Sequence, residues 1–151
     1  MIPHIPAVVF LLSSFSGLLQ EDFKLPATWD KDFTITISFK SSMSGSSTSV
    51  IYTYDTCKYR SVDKAGKIVS KSAKIGESER KLLLEKLREF KVESIRPGSN
   101  VVPVRDGWTQ SMCFGTHCVD GGSSADLSDD DKMIFQTAYG FLEGFAYGKS
   151  R

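Results

Sequence analysis

The run Phe33-Thr34-Ile35-Thr36-Ile37-Ser38-Phe39 alternates apolar and polar side chains without interruption. Successive side chains of a strand point to opposite faces, so this run predicts a strand with one buried and one solvated face. A second run follows, in which Val50, Tyr52 and Tyr54 alternate with Ile51 and Thr53. Between them lies Ser41–Ser49, which holds six serines, one threonine, Gly45 and Met43 and reads as a small-residue loop. Strands buried on one face only belong to antiparallel sheets.

Outward from this pair, Cys57 to Val62 extends the second strand past a bend, and Asp63-Lys64-Ala65-Gly66 is a turn. Lys67 to Ile75 is a lysine-rich strand suited to a sheet edge. At Gly76 the period changes. Leu83, Leu87 and Phe90 recur at helical spacing, flanked by Leu82 and Leu84, while Arg80, Lys81, Glu85, Lys86, Arg88 and Glu89 fill the other positions. Gly76 or Ser78 caps this helix, and Pro97-Gly98 closes the region beyond it. Val101 to Arg105 reads as a strand, with Pro103 placing it at an edge or a bulge, and Asp106-Gly107 as a hairpin turn. Trp108, Gln110, Met112 and Phe114 share one face of the returning strand, and Gly121 to Ser124 is loop. Ser128 before Asp129, Asp130 and Asp131 signals a helix start, followed by an apolar face of Ile134, Phe135, Ala138, Phe141, Leu142 and Phe145. The expected fold is α+β. It is a single domain with an antiparallel sheet of about five strands, in the order strands, helix, hairpin, helix, and both helices lie on one face.

The first nineteen residues contain no Lys, Arg, Asp or Glu, and Ile5 to Leu12 is almost wholly apolar. Ser14 and Ser16 fit the small-x-small rule of a leader cleavage site. Residues 1–16 are therefore expected to be a signal peptide and residues 17–151 the mature domain, secreted or periplasmic. Pro3 and Pro6 and the lack of a basic n-region are atypical of such a leader. The alternatives are an uncleaved anchor or a packed N-terminal element. The apolar run falls short of the ~20 residues a membrane span needs. No cysteine follows it to carry a lipid.

The 151 residues are 40% apolar with a formal charge of +1. That balance excludes a disordered tail and gives no net attraction to nucleic acid. Charge is uneven locally: Lys58 to Lys74 holds six basic residues and one acid, and Asp120 to Asp131 holds five acids and no base. Solvated edges account for both, with a basic rim for an acidic partner as the sharper alternative.

Candidate chemistry is sparse. Outside the leader the one histidine is His117, in Cys113-Phe-Gly-Thr-His117-Cys118. A nucleophile and base adjacent in sequence rarely face each other, so no catalytic triad is expected there. Cys57, Cys113, His117 and Cys118 match zinc-site spacing poorly. In an exported chain a disulfide is the better reading. Cys113–Cys118 closes a short loop, and a Cys57 bridge to either of the others is the alternative. No cofactor or metal is implied. The carboxylate groups Glu21 with Asp22, Asp30 with Asp32, and Asp129 to Asp131 have no glycosidase or metal context, and Gly121-Gly122-Ser123-Ser124 lacks the lysine of a phosphate loop. Gly140, Gly144 and Gly148 recur every four residues opposite the apolar face of the last helix, where close packing within the chain or fraying after Gly140 would explain them, with a smooth groove for a partner backbone as the functional alternative. Glu143 and Gln136 rule out a membrane dimerisation stripe.

The run Ile35-Thr-Ile-Ser-Phe-Lys-Ser41-Ser42-Met43-Ser44-Gly45 resembles the strand and small-residue turn that open emfourin-like proteins, although the double glycine of their motif is absent. The resemblance implies a small inhibitor of thermolysin-like metallopeptidases. The expected function is an exported, non-enzymatic binding module, an enzyme inhibitor in the narrower form. Its partner would be an exported protein and Ser41, Ser42, Met43, Ser44 and Gly45 would be the contact loop. The alternatives are a small hydrolase using Asp106 or Asp120 and a structural envelope protein.

Overall fold

The computed structural model describes residues 22–96 and 107–149. In chain order these form strands β1 Ile35–Ser41, β2 Ser47–Tyr52, β3 Thr56–Val62 and β4 Ile68–Lys74 and helix α1 Glu77–Glu89. A 3-10 turn at Val92–Ser94 precedes β5 Trp108–Phe114, β6 His117–Asp120 and helix α2 Asp129–Lys149. The strands make one sheet in the order β4-β3-β2-β1-β5-β6, and every neighbouring pair is antiparallel. The α+β architecture with two helices is as expected, with six strands rather than five.

Register decides which residues are buried. Cys57, Tyr52, Ile35, Phe114 and His117 lie in one cross-strand row, and Tyr59, Val50, Ile37, Met112 and Val119 in the next. All of them except His117 are buried, and α1 and α2 cover them with Leu83, Leu84, Leu87, Phe135, Ala138, Tyr139, Leu142 and Ala146. Each large apolar side chain buried this way contributes about 1.5–3 kcal/mol. The opposite face is polar. Ser70, Arg60, Ser49, Ser38, Ser111 and Asp120 form one of its rows.

Gly76 caps α1, and its N–H donates to Glu79 Oε2 at 2.8 Å. Lys149 at the end of α2 pairs with the same carboxylate, so the start of one helix is tied to the end of the other. Lys149 and the Gly76 amide together hold the Glu79 carboxyl below the usual range. Ser128 caps α2, its Oγ accepting from the Asp131 N–H at 3.1 Å. The buried face of α2 is rotated from the expected one. Tyr139 and Ala146 are buried, while Ile134, Phe141 and Phe145 sit half-buried at its margin. The Tyr52 hydroxyl, buried beneath this helix, donates to the Leu142 carbonyl.

Three loop expectations change. The Ser41–Ser49 loop shrinks to Ser42–Ser46, because β1 runs to Ser41 and β2 begins at Ser47. Cys57 to Val62 is a strand in its own right, reached through a turn in which the Thr53 N–H donates to Thr56 O at 2.8 Å. The hairpin turns at Gly115-Thr116, where Gly115 has φ +60. Both edges of β5 are occupied, by β1 on one side and by β6 and then Gly121–Ser123 on the other. The leader with Ser14, Ser16 and Gly17, the Pro97-Gly98 stop and the Val101–Arg105 strand with Pro103 and Asp106 lie outside the described residues.

The glycines divide sharply. A Cβ on Gly121 would lie 2.2 Å from the Phe135 ring, and one on Gly122 would lie 2.5 Å from Trp108 O. The Gly121–Ser124 stretch is therefore a close approach to α2 and β5. At Gly140, Gly144 and Gly148 a Cβ would meet nothing within 4 Å, and α2 continues to Lys149. Among the described residues nothing packs against that stripe, and the helix does not fray after Gly140. Two substitutions separate these environments. Gly121→Ala should destabilise by about 1–3 kcal/mol through overpacking, and Gly140→Ala should stabilise by up to about 1 kcal/mol. Urea unfolding measures both, and a neutral Gly121→Ala would contradict the packing of Phe135 against this turn.

Candidate functional site

Two surface features of the described residues bear on binding: the β1–β2 tip and a cleft beside α1. At the tip the serines satisfy backbone groups. Ser41 N–H donates to Ser46 O at 2.9 Å, Gly45 N–H to Ser41 O at 3.0 Å, and Ser46 N–H to Ser44 Oγ at 3.2 Å. Gly45 has φ +67, which the turn needs and which strains most side chains. Ser42 N–H donates to Gly107 O at 3.1 Å, and its hydroxyl donates to the same carbonyl, fastening the tip to the start of β5. Met43 is 76% exposed on this fixed turn. Beside it a groove of about 250 Å³ is lined by Lys40, Ser42, Trp108, Thr109, Ser123 and Ser124, and Trp108 is itself 38% exposed.

The second feature is a cleft of about 460 Å³ between α1 and residues 27–29, bordered by Thr28, Trp29, Tyr54, Arg80, Leu84 and Arg88. Trp29 is held by its indole N–H, which donates to Phe33 O at 2.8 Å. Arg88 donates to the carbonyls of Pro26 and Ala27, fixing the wall opposite the helix. Arg80 takes up a buried position on the apolar side of α1, one turn before Leu83 and Leu84 and two before Leu87. Its position three residues before Leu83 was the available signal, obscured by its place within a charged run.

The remaining candidates are dispersed. Cys113 and Cys118 form a disulfide, with 4.0 Å between their Cα atoms, on the polar face of the sheet. Cys57 is free and buried on the opposite face. It stands four strands from His117 along one row, roughly 19 Å at the usual strand spacing. Among the described residues no group of three or more His, Cys, Asp or Glu side chains is placed to hold a metal. His117 stacks flat on Phe23, with ring centroids 4.1 Å apart, and its Nε2 is buried without a partner among the described residues. Burial, then the charge of Arg96, pushes its pKa down, so the ring is neutral at physiological pH.

The carboxylates serve turns and ties. Asp30 Oδ1 accepts from the Asp32 and Phe33 amides, each at 2.9 Å, Glu93 accepts from the Leu25 amide at 2.7 Å, and Asp22 pairs with Arg96 at 3.0 Å. Asp120 is exposed on the polar face, and Asp106 lies outside the described residues. Among the described residues no helix is long and apolar enough to cross a membrane. No protein-family model matches the chain, and no curated protein matches it in sequence.

The cysteines give a direct check. Burial pushes the Cys57 thiol up to about 11, against the opposing pulls of Tyr52 and Lys149, so it stays protonated at pH 8 and reacts slowly. Iodoacetamide should leave the native chain unlabelled at pH 8, add one label to the unfolded non-reduced chain and add three after reduction. Mass spectrometry reads the count, and three labels without reductant would contradict the bridge.

Proposed function

We propose that this chain is an exported, non-enzymatic binding module that engages an exported protein through the β1–β2 tip. An enzyme inhibitor is the narrower form, suggested by the emfourin-like resemblance. The observation that carries the reading is the tip itself. A turn whose amides are satisfied by its own serines, and which is fastened to Gly107, holds a methionine almost fully in solvent. Solvent-exposed methionine is an adaptable contact group, and tryptophan is enriched at interface hot spots. Met43 and Trp108 stand at the same end of the sheet, with hydroxyl groups around them to supply a polar rim.

Export rests on the leader pattern of residues 1–16, and the Cys113–Cys118 disulfide suits an oxidising compartment. The hydrolase alternative finds less support. Of the two carboxylates it invokes, Asp106 lies outside the described residues. Asp120 is exposed and lines neither cleft.

Met43→Asp tests the reading. The substitution places a charge at the centre of the proposed contact without touching the core, so partner capture from the native extracellular or envelope fraction should fall at least tenfold. The thermal midpoint should move by no more than about 2 °C, as for an exposed site. Undiminished capture would remove the tip from consideration.

A further inference from the structure

The cleft beside α1 holds a charge that the fold leaves half satisfied. Arg80 is only 8% exposed and is the one buried charged side chain among the described residues. Its Nη1 donates to the Tyr54 carbonyl at 2.6 Å and more weakly to the Ile75 carbonyl at 3.4 Å, and its guanidinium carbon lies 3.8 Å from the centre of the Tyr54 ring. No carboxylate of the described residues pairs with it. Glu79 pairs with Lys149, and Glu85 with Lys81 at 3.9 Å. The two carbonyls and the aromatic face fix the plane of the guanidinium. The guanidinium N–H groups that these carbonyls do not take still reach solvent, and a planar guanidinium edge left open in this way is ordinarily matched to a carboxylate or phosphate. Its remaining N–H groups have no acceptor among the described residues, and the residue borders the 460 Å³ cleft.

We propose that this cleft binds a monocarboxylate carrying a flat apolar body, with the carboxylate seated on the free edge of Arg80. Three features select that chemistry. The planar fork of arginine matches a carboxylate in two parallel hydrogen bonds. Glu77 and Glu85 border the same cleft together with Lys81 and Arg88, so beyond Arg80 its charge is balanced and matches one negative charge rather than the two of phosphate. Trp29 and Leu84 supply apolar wall, and the volume lies within the roughly 300–1,000 Å³ of small-molecule sites. The site is separate from the β1–β2 tip and stands whether or not the tip binds a protein.

Benzoate is the probe, read by NMR on the full-length protein through the Arg80 Nε–H and Trp29 indole N–H resonances. Benzoate should shift both saturably in the millimolar range. Benzamide, of the same shape without the charge, and inorganic phosphate should each bind at least tenfold more weakly. Thr28→Trp, a change at an exposed position lining the cleft, should abolish the shifts while leaving Arg80 in place. Arg80→Met should abolish the Trp29 shift if it folds, and the comparison of benzoate with benzamide on the unmodified chain decides the matter if it does not. Equal binding of benzamide, stronger binding of phosphate, or no saturable shift with benzoate in the folded protein would overturn the proposal.

Discussion

Ile35 and Ile37 stand near the middle of the sheet, with β2 on one side and β5 on the other, and they are 0% and 1% exposed. Their burial constrains everything else. A one-residue slip of β1 would turn both to solvent and bring Thr36 and Ser38 into the core, so the register of the flanking strands is strongly specified. That register in turn sets Val50 and Tyr52, Met112 and Phe114 beneath the helices. It also fixes where α2 rests, because the Tyr52 hydroxyl must find an acceptor when buried and finds the Leu142 carbonyl. The serines and threonines of the same strands are thereby committed to the open face. The Cys113–Cys118 bridge lies among them and links β5 to β6 outside the core.

Period-2 alternation made β1 and the inward face of β5 legible from sequence, and lysine density marked β4 as an edge. Both helices were legible from their spacing, and α2 from its Ser128-Asp129-Asp130-Asp131 start. What was not legible depends on contacts between distant segments. The Gly115-Thr116 turn is short, and Asp106-Gly107 offers a stronger local hairpin signal. The occupation of both edges of β5 decides its pairing, and no local pattern announces that. The rotation of α2 places Tyr139 and Ala146 in the core, a choice that depends on the sheet it packs on and not on the helix's own spacing. Tyr139 is nearly wholly buried, at 3% exposed, although tyrosine is commonly read as a residue of the margin.

The candidate sites show the same division. The tip could be found from composition, since a stretch of small polar residues joining two patterned strands leaves its one large apolar side chain without a core to enter. Its length could not, because Ser47 and Ser49 pair in β2 like any strand residues. The cleft beside α1 was not found. Arg80 lies among charged neighbours in sequence, and only the fold reveals that it alone of them turns inward. The two proposed sites differ in chemistry. The tip offers an adaptable apolar contact with a polar rim, and the cleft offers a pre-oriented cation against an apolar wall.

Recognition at the rim of a one-sided sheet is the central claim, and site-specific photo-crosslinking in the native host tests it most directly. A photoreactive side chain at position 43 should yield a covalent product with one exported protein. The same group at position 133, where Met133 is 69% exposed on α2, serves as the control and should yield none. A single product confined to position 43 is the predicted result. No product at position 43, or the same product from position 133, would contradict the account.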